Sequence, residues 1–218
     1  MASLILDILL YLYFVIVVMA AIIGTRFRPS LPYPLNWLWI YLWMDAAVEV
    51  IVFLLKIKHI SAMDAYNWFG PIEFFFVSLL YLAFFKTRIE KLSIKILVAI
   101  YTLFCISHIV LLNKMNDYHL IFLVRSILIT GITLYYFLRL YHSDEILEIN
   151  KSPLFWISIG WYIFCTASVF SMGLGVHVRN INAEIGNSVY ILNVLLNIYL
   201  FSMFIVGLIC SRRNPGFY

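Results

Sequence analysis

Charge is what this chain has least of. Lys, Arg, Asp and Glu together make up 12% of its 218 residues, about half the share of an ordinary soluble domain. Polar connections are equally scarce. The longest runs only from about Arg139 to Pro153, too short for a soluble domain, so chemistry or binding must take place in an apolar bundle, at its mouths or through a partner. Cysteine is limited to Cys105, Cys165 and Cys210, with no CxxC pair. That number and spacing exclude a disulfide framework and a zinc ribbon. The five histidines include no HxxxH pair, the spacing by which a helix offers two ligands to a catalytic metal, so no metal or other cofactor is expected. A basic, aromatic surface outside the apolar runs is also missing, which removes nucleic acid from the expected partners.

What is present is apolar length. Hydrophobic residues make up 64% of the chain, gathered in stretches of about twenty, the length at which a helix crosses a hydrocarbon core of roughly 30 Å. Spans are expected at about 3–24, 37–57, 68–86, 94–113, 120–141, 154–177 and 189–210. An unbroken apolar run in lipid must be helical, because no water satisfies an open backbone there. The expected fold is therefore all-α: one domain, 1–218, forming a seven-helix bundle in a lipid bilayer. The first run carries Asp7, has no basic leader and is too long for a signal peptide. Between spans one and two, TRFRPSLPYPLN contains three prolines and is expected to be a loop, with Asn36 capping the second helix ahead of Trp37, Trp39, Tyr41 and Trp43 at the interface. The segment LYHSDEILEINKS is expected to form a short helical turn before Pro153.

The basic residues indicate orientation. Arg26, Arg28, Lys86, Arg88, Lys91, Lys95, Arg139, Lys151, Arg212 and Arg213 share one side, whereas Lys56, Lys58, Lys114 and Arg179 lie on the other. Under the positive-inside rule the N-terminus is outside and the C-terminus cytoplasmic, as expected for a protein of the plasma (inner) membrane. Net charge is +4, and topology accounts for it without a polyanionic partner.

An ionisable group at bilayer depth costs roughly 2.5–3.5 kcal/mol on insertion scales, so each one requires a partner or a wet cavity. Span two carries Asp45 and Glu49, four apart on one face. Span three carries Glu73 after Gly70 and Pro71, the proline being read as a first-turn residue. Span four contributes Ser107 and His108, span five Arg125, and span seven Asn193 and Asn197. The deduced orientation gathers them in the outer half, with Glu73, Arg125, His108 and Asn193 shallow and Asp45, Glu49 and Asn197 nearer the midplane. One arrangement is a closed network in which Arg125 neutralises Glu73 or Glu49 and the asparagines bond across helices. The other is a ligand pocket floored by Asp45 and Glu49. Two or three carboxylates facing one arginine leave negative charge that a proton or a cation must balance. In span six, Ala167, Ser171 and Gly175 repeat small residues at the spacing of a close helix contact, with a neighbouring helix or a second copy of the chain.

Several partial likenesses were weighed on particular residues. GPIEFFF, from Gly70 to Phe76, resembles the proline-glutamate motif of small membrane-embedded lycopene cyclases, which implies an acid role for Glu73. Phe74 stands where that family has its second acidic residue. The Ser107-His108 pair and the span count are similar to ceramidase-type hydrolases, without their spaced Asp and paired His. Retinal proteins need a lysine that span seven lacks, and NPGFY follows the last span instead of lying within it, as the receptor NPxxY string does.

The favoured reading is a non-enzymatic binding bundle, a sensor with a cytoplasmic protein partner or a small carrier. Its site comprises Asp45, Glu49, Glu73, His108, Arg125, Asn193 and Asn197, and a small molecule or cation is the expected ligand. The alternatives are a membrane-embedded enzyme acting on a lipid or isoprenoid, with Glu73 or Glu49 as general acid, and a purely structural subunit. The orientation carries its own prediction. In sealed cells, an impermeant thiol reagent should label a cysteine placed near Asp64 or His177 and spare one near Lys91; the reverse pattern would overturn the depth assignments.

Overall fold

The computed structural model describes residues 2–58, 60, 63–111, 118–142, 149–181 and 183–213, with side chains except at 2–5, 63, 64, 111, 118, 119, 172–181, 183–185 and 187. Its long elements are α1 (Ala2–Phe27), α2 (Tyr33–Ile57), α3 (Met63–Phe84), α4 (Arg88–Ile106), α5 (Tyr118–Tyr141), α6 (Pro153–Ile181) and α7 (Ala183–Arg213). Each contains a stretch long and apolar enough to cross a membrane, and no strand occurs among the described residues.

Local chemistry corrects the expected starts of three helices. The proline-rich connection is not an extended loop: a 3-10 turn at Arg28–Ser30 leads through Leu31 and Pro32 directly into α2. Pro32 is the N-cap and Pro34 sits in the first turn, where a missing amide forfeits no helical bond. Asn36 therefore lies inside the helix and does not cap it. In α3 the helix begins at Met63, so Pro71 is interior; it deprives the Asn67 carbonyl of its usual donor, a loss that membrane helices tolerate when neighbours compensate. Helix α4 starts earlier than its apolar run because Thr87 and Glu90 form a reciprocal cap. A π-helical turn, Ser107–Leu111, continues it. Of the expected turn before Pro153, Ile149–Lys151 is a 3-10 turn, and 143–148 lie outside the described residues.

The packing order differs from the chain order. Helices α1, α2, α3, α5, α6 and α7 form a closed ring in that sequence, each packed on the next and α7 returning to α1. Helix α4 stands outside, leaning chiefly on α3. At the end rich in Lys and Arg the elements are tied together by polar contacts. Glu90 of α4 accepts hydrogen bonds from Tyr135 Oη (2.8 Å) and Arg139 Nε (2.7 Å) of α5, and Arg212 of α7 lies 5.0 Å over the Phe27 ring of α1. Nearby, Cys210 Sγ donates to the Lys151 carbonyl at 3.1 Å.

The half of the ring nearer this end is filled. Trp161, Tyr81, Tyr136, Phe204, Leu42 and Ile157 are fully buried, and Trp161 packs 5.5 Å from Phe204 and 5.8 Å from Tyr41. Tyr81 and Ser158 share a 2.7 Å hydroxyl bond between α3 and α6, which satisfies both polar atoms in a dry interior. Helices α6 and α7 approach through glycine. A Cβ on Gly160 would stand 2.9 Å from Met203 Cβ, and one on Gly207 would stand 2.8 Å from Ile157 and 3.1 Å from the Pro153 carbonyl. The small-residue face expected around Ala167 and Ser171 is borne by the same helix, with Ser171 buried; the side-chain surroundings of Gly175 lie outside the description. Overpacking such contacts costs about 1–3 kcal/mol. Gly160→Ala and Gly207→Ala should therefore each lower the thermal midpoint in detergent by several degrees, whereas Gly131→Ala, whose Cβ meets nothing within 4 Å, should leave it unchanged or raise it slightly.

Candidate binding site

The opposite half of the ring is not filled. It encloses a cavity of about 490 Å³, within the range of small-molecule sites. All six ring helices line it, and no described residue of α4 does. From α2 it takes Tyr41, Asp45, Glu49 and Lys56. Their spacing places them on one stripe that climbs about 22 Å at the usual rise per residue, from the packed aromatic layer to the exposed end. The stripe gives the cavity a floor, a middle and a mouth.

The floor is built around an ion pair. Arg125 of α5 donates through Nη1 to Glu73 Oε2 of α3, and both side chains are buried. Tyr41 Oη donates to the other Glu73 oxygen at 3.2 Å. Phe122, one turn before Arg125, lies under the guanidinium with 4.3 Å from its carbon to the ring centroid, so charge, hydrogen bond and ring face hold one geometry. Tyr41 also stacks on Phe69 at 6.4 Å and packs against Trp161 of the filled half. Glu73 thus lies about three turns from the start of its helix, where about one was expected. The reason is the interior Pro71: with α3 beginning at Met63, Glu73 falls at mid-helix.

The middle is Asp45. It is 8% exposed, lines the cavity, and its Oδ2 atom has no hydrogen-bond partner. Asn193 Oδ1 and Arg125 Nε, also at the cavity, lack partners too. Asn197 donates to the Asn193 main-chain carbonyl at 2.9 Å, within its own helix, and among the described residues neither asparagine is seen to bond across helices as a closed network requires.

Glu49 marks the upper level. Tyr13 of α1 and Tyr66 of α3 both donate to its Oε1 atom, at 2.9 and 3.2 Å. These neutral donors orient the carboxylate without cancelling its charge. Lys56, Tyr66 and Tyr190 are solvent-exposed at the rim. Asp45, Glu49 and Glu73 face the fixed charge of Arg125 and the rim ammonium of Lys56, so the interior carries more negative than positive groups.

Of the residues singled out from sequence, the structure brings together Asp45, Glu49, Glu73, Arg125, Asn193 and Asn197. His108 does not join them. It is buried on α4 beside Phe104, ring centroids 5.8 Å apart, and α4 lies outside the ring that encloses the cavity. The expected floor also changes: Glu73 and Arg125 form it, with Asp45 and Glu49 above. Of the other histidines, His59 and the side chains of His119 and His177 lie outside the described residues. Sequence reasoning missed Tyr13, Tyr41, Tyr66 and Tyr190, because a tyrosine in an aromatic-rich span gives no sign of which way its hydroxyl points. It also missed Glu90, although Thr87–Glu90 spells a capping box in the sequence.

Comparisons with models of protein families, with curated proteins and with solved structures gave no match for this chain. The ion pair is directly testable. Removing one partner of a buried pair costs about 3–5 kcal/mol because the other charge is stranded. Arg125→Ala should sharply reduce the yield of monodisperse protein, and adding Glu73→Gln should recover more of it than adding Glu49→Gln. Better recovery with Glu49→Gln would assign the arginine to the wrong carboxylate.

Proposed function

We propose that this protein is a ligand-binding membrane bundle whose cavity takes a cation between Asp45 and Glu49. The carrying observation is Asp45: a buried acidic side chain that lines the cavity and has one oxygen without a hydrogen-bond partner. Leaving such a group unsatisfied costs more than an ordinary neutral polar atom does. Arg125, engaged with Glu73, gives that oxygen no hydrogen bond. A cation about 4 Å from one carboxylate gains roughly 4 kcal/mol at an effective dielectric of about 20, and here two carboxylates lie one helical turn apart.

The packed floor supports binding over open conduction. Tyr41, Trp161 and Phe204 close the ring beneath the ion pair. With the orientation drawn from the loop charges, the mouth between Lys56, Tyr66 and Tyr190 faces away from the cytoplasm. Acid catalysis on a lipid or isoprenoid has less support, because the Glu73 carboxylate is engaged by Arg125 and Tyr41, leaving Glu49 as the remaining acid of that scheme.

The reading predicts cation-dependent stability. At fixed ionic strength, purified protein should gain several degrees of thermal midpoint from at least one member of a panel of sodium, potassium, magnesium and simple organic ammonium salts. The Asp45→Asn, Glu49→Gln variant should remain folded and lose that gain. No stabilisation by any member, or an equal gain in the variant, would reject cation binding at this site.

A further inference from the structure

From the walls of the same cavity we infer the ligand's class: an organic ammonium with an apolar, preferably aromatic, body. This rests on the binding reading above and narrows it. Two features exclude a bare metal ion as the better fit. Hard divalent cations take six or more oxygen ligands, but among the described residues no group of three or more His, Cys, Asp or Glu gathers as a metal site. The volume of about 490 Å³ is also far larger than one ion needs, and eight of the residues that line it are aromatic.

Those walls divide by level. Around the Glu49 carboxylate stand Tyr13, Tyr66 and Tyr190, whose ring faces and hydroxyls suit a cationic head. Lower, Phe69, Phe122 and Phe164 line an apolar bay beside the floor, with Phe122 and Phe164 edge to face at 6.2 Å. The ammonium therefore seats beside the carboxylates of Asp45 and Glu49, and the body lies against the phenylalanines. A primary or secondary amine fits better than a quaternary one, because only an N–H group can donate to a carboxylate. The exposed Lys56 at the rim holds a like charge beside the entrance, which disfavours polyamines that would leave a second ammonium there.

The test compares isosteres. Purified protein in lipid nanodiscs is titrated with 2-phenylethylamine, the neutral 2-phenylethanol, methylamine and sodium chloride, and binding is read by calorimetry and thermal midpoint. The expected result is binding of 2-phenylethylamine at least tenfold tighter than methylamine, with a midpoint rise of roughly 3–6 °C at tenfold above its Kd. Phenylethanol should give no comparable effect. Tyr190→Leu, at the exposed rim and away from the packed core, should weaken the amine several-fold without changing the midpoint of the ligand-free protein. Asp45→Asn should abolish amine binding. Saturable binding of sodium with none of the amine would overturn this inference and leave the cation-binding reading standing. Equal binding of amine and alcohol would overturn both, as would an absence of binding by every probe.

Discussion

The contact between Arg125 and Glu73 organises this bundle. Neither charge can face hydrocarbon alone without a penalty of several kcal/mol, so α5 and α3 must meet at that depth although α4 separates them in the chain. Once they meet, α4 has no place between them and packs outside. The remaining six helices can then close into a ring. The same pair, with Tyr41 donating to the carboxylate and Phe122 under the guanidinium, terminates the cavity and joins it to the aromatic layer beneath.

Above and below that level the ring follows different rules. Toward the basic end, large side chains interlock, glycines admit α7 against α6, and hydroxyls such as Tyr81 and Ser158 satisfy each other. Such packing supplies the association energy that the hydrophobic effect cannot give between helices in lipid. Toward the other end, tyrosine hydroxyls are turned inward onto Glu49, and polar atoms on Asp45 and Asn193 remain without partners. Evolution of a merely structural bundle has an easier solution for those positions, an apolar side chain of similar volume. Retaining two carboxylates around an open volume is the physical basis of the proposed cation site.

Much of the fold could be read in advance because the bilayer imposes a length and a backbone rule on each helix separately. All seven spans were legible from apolar runs. Six of the seven candidate site residues were legible as well, for a charged or amide side chain within a span is conspicuous against its neighbours. The departures came where a decision depended on contacts between helices. Pro71 reads as a first-turn residue, yet α3 extends back to Met63 and puts Glu73 at mid-helix. His108 shares its expected depth with the cavity residues but sits on the one helix outside the ring. The choice of Glu73 over Glu49 as the partner of Arg125 likewise needed three helices in place.

The amino-acid sequence alone thus determined seven helices long and apolar enough to cross a membrane, the face shared by Asp45 and Glu49, and the set of polar groups requiring company. These follow from local composition and from the 3.6-residue period of a single helix. Tertiary structure alone decided that six helices form the ring and one does not, that Arg125 is engaged at the floor, and that tyrosines from α1 and α3 converge on Glu49. Those outcomes depend on the order and rotation of helices about their axes, which arise from packing, ion pairing and close glycine contacts between segments remote in the chain. A hydropathy pattern carries depth along a helix, but not which neighbour stands beside it.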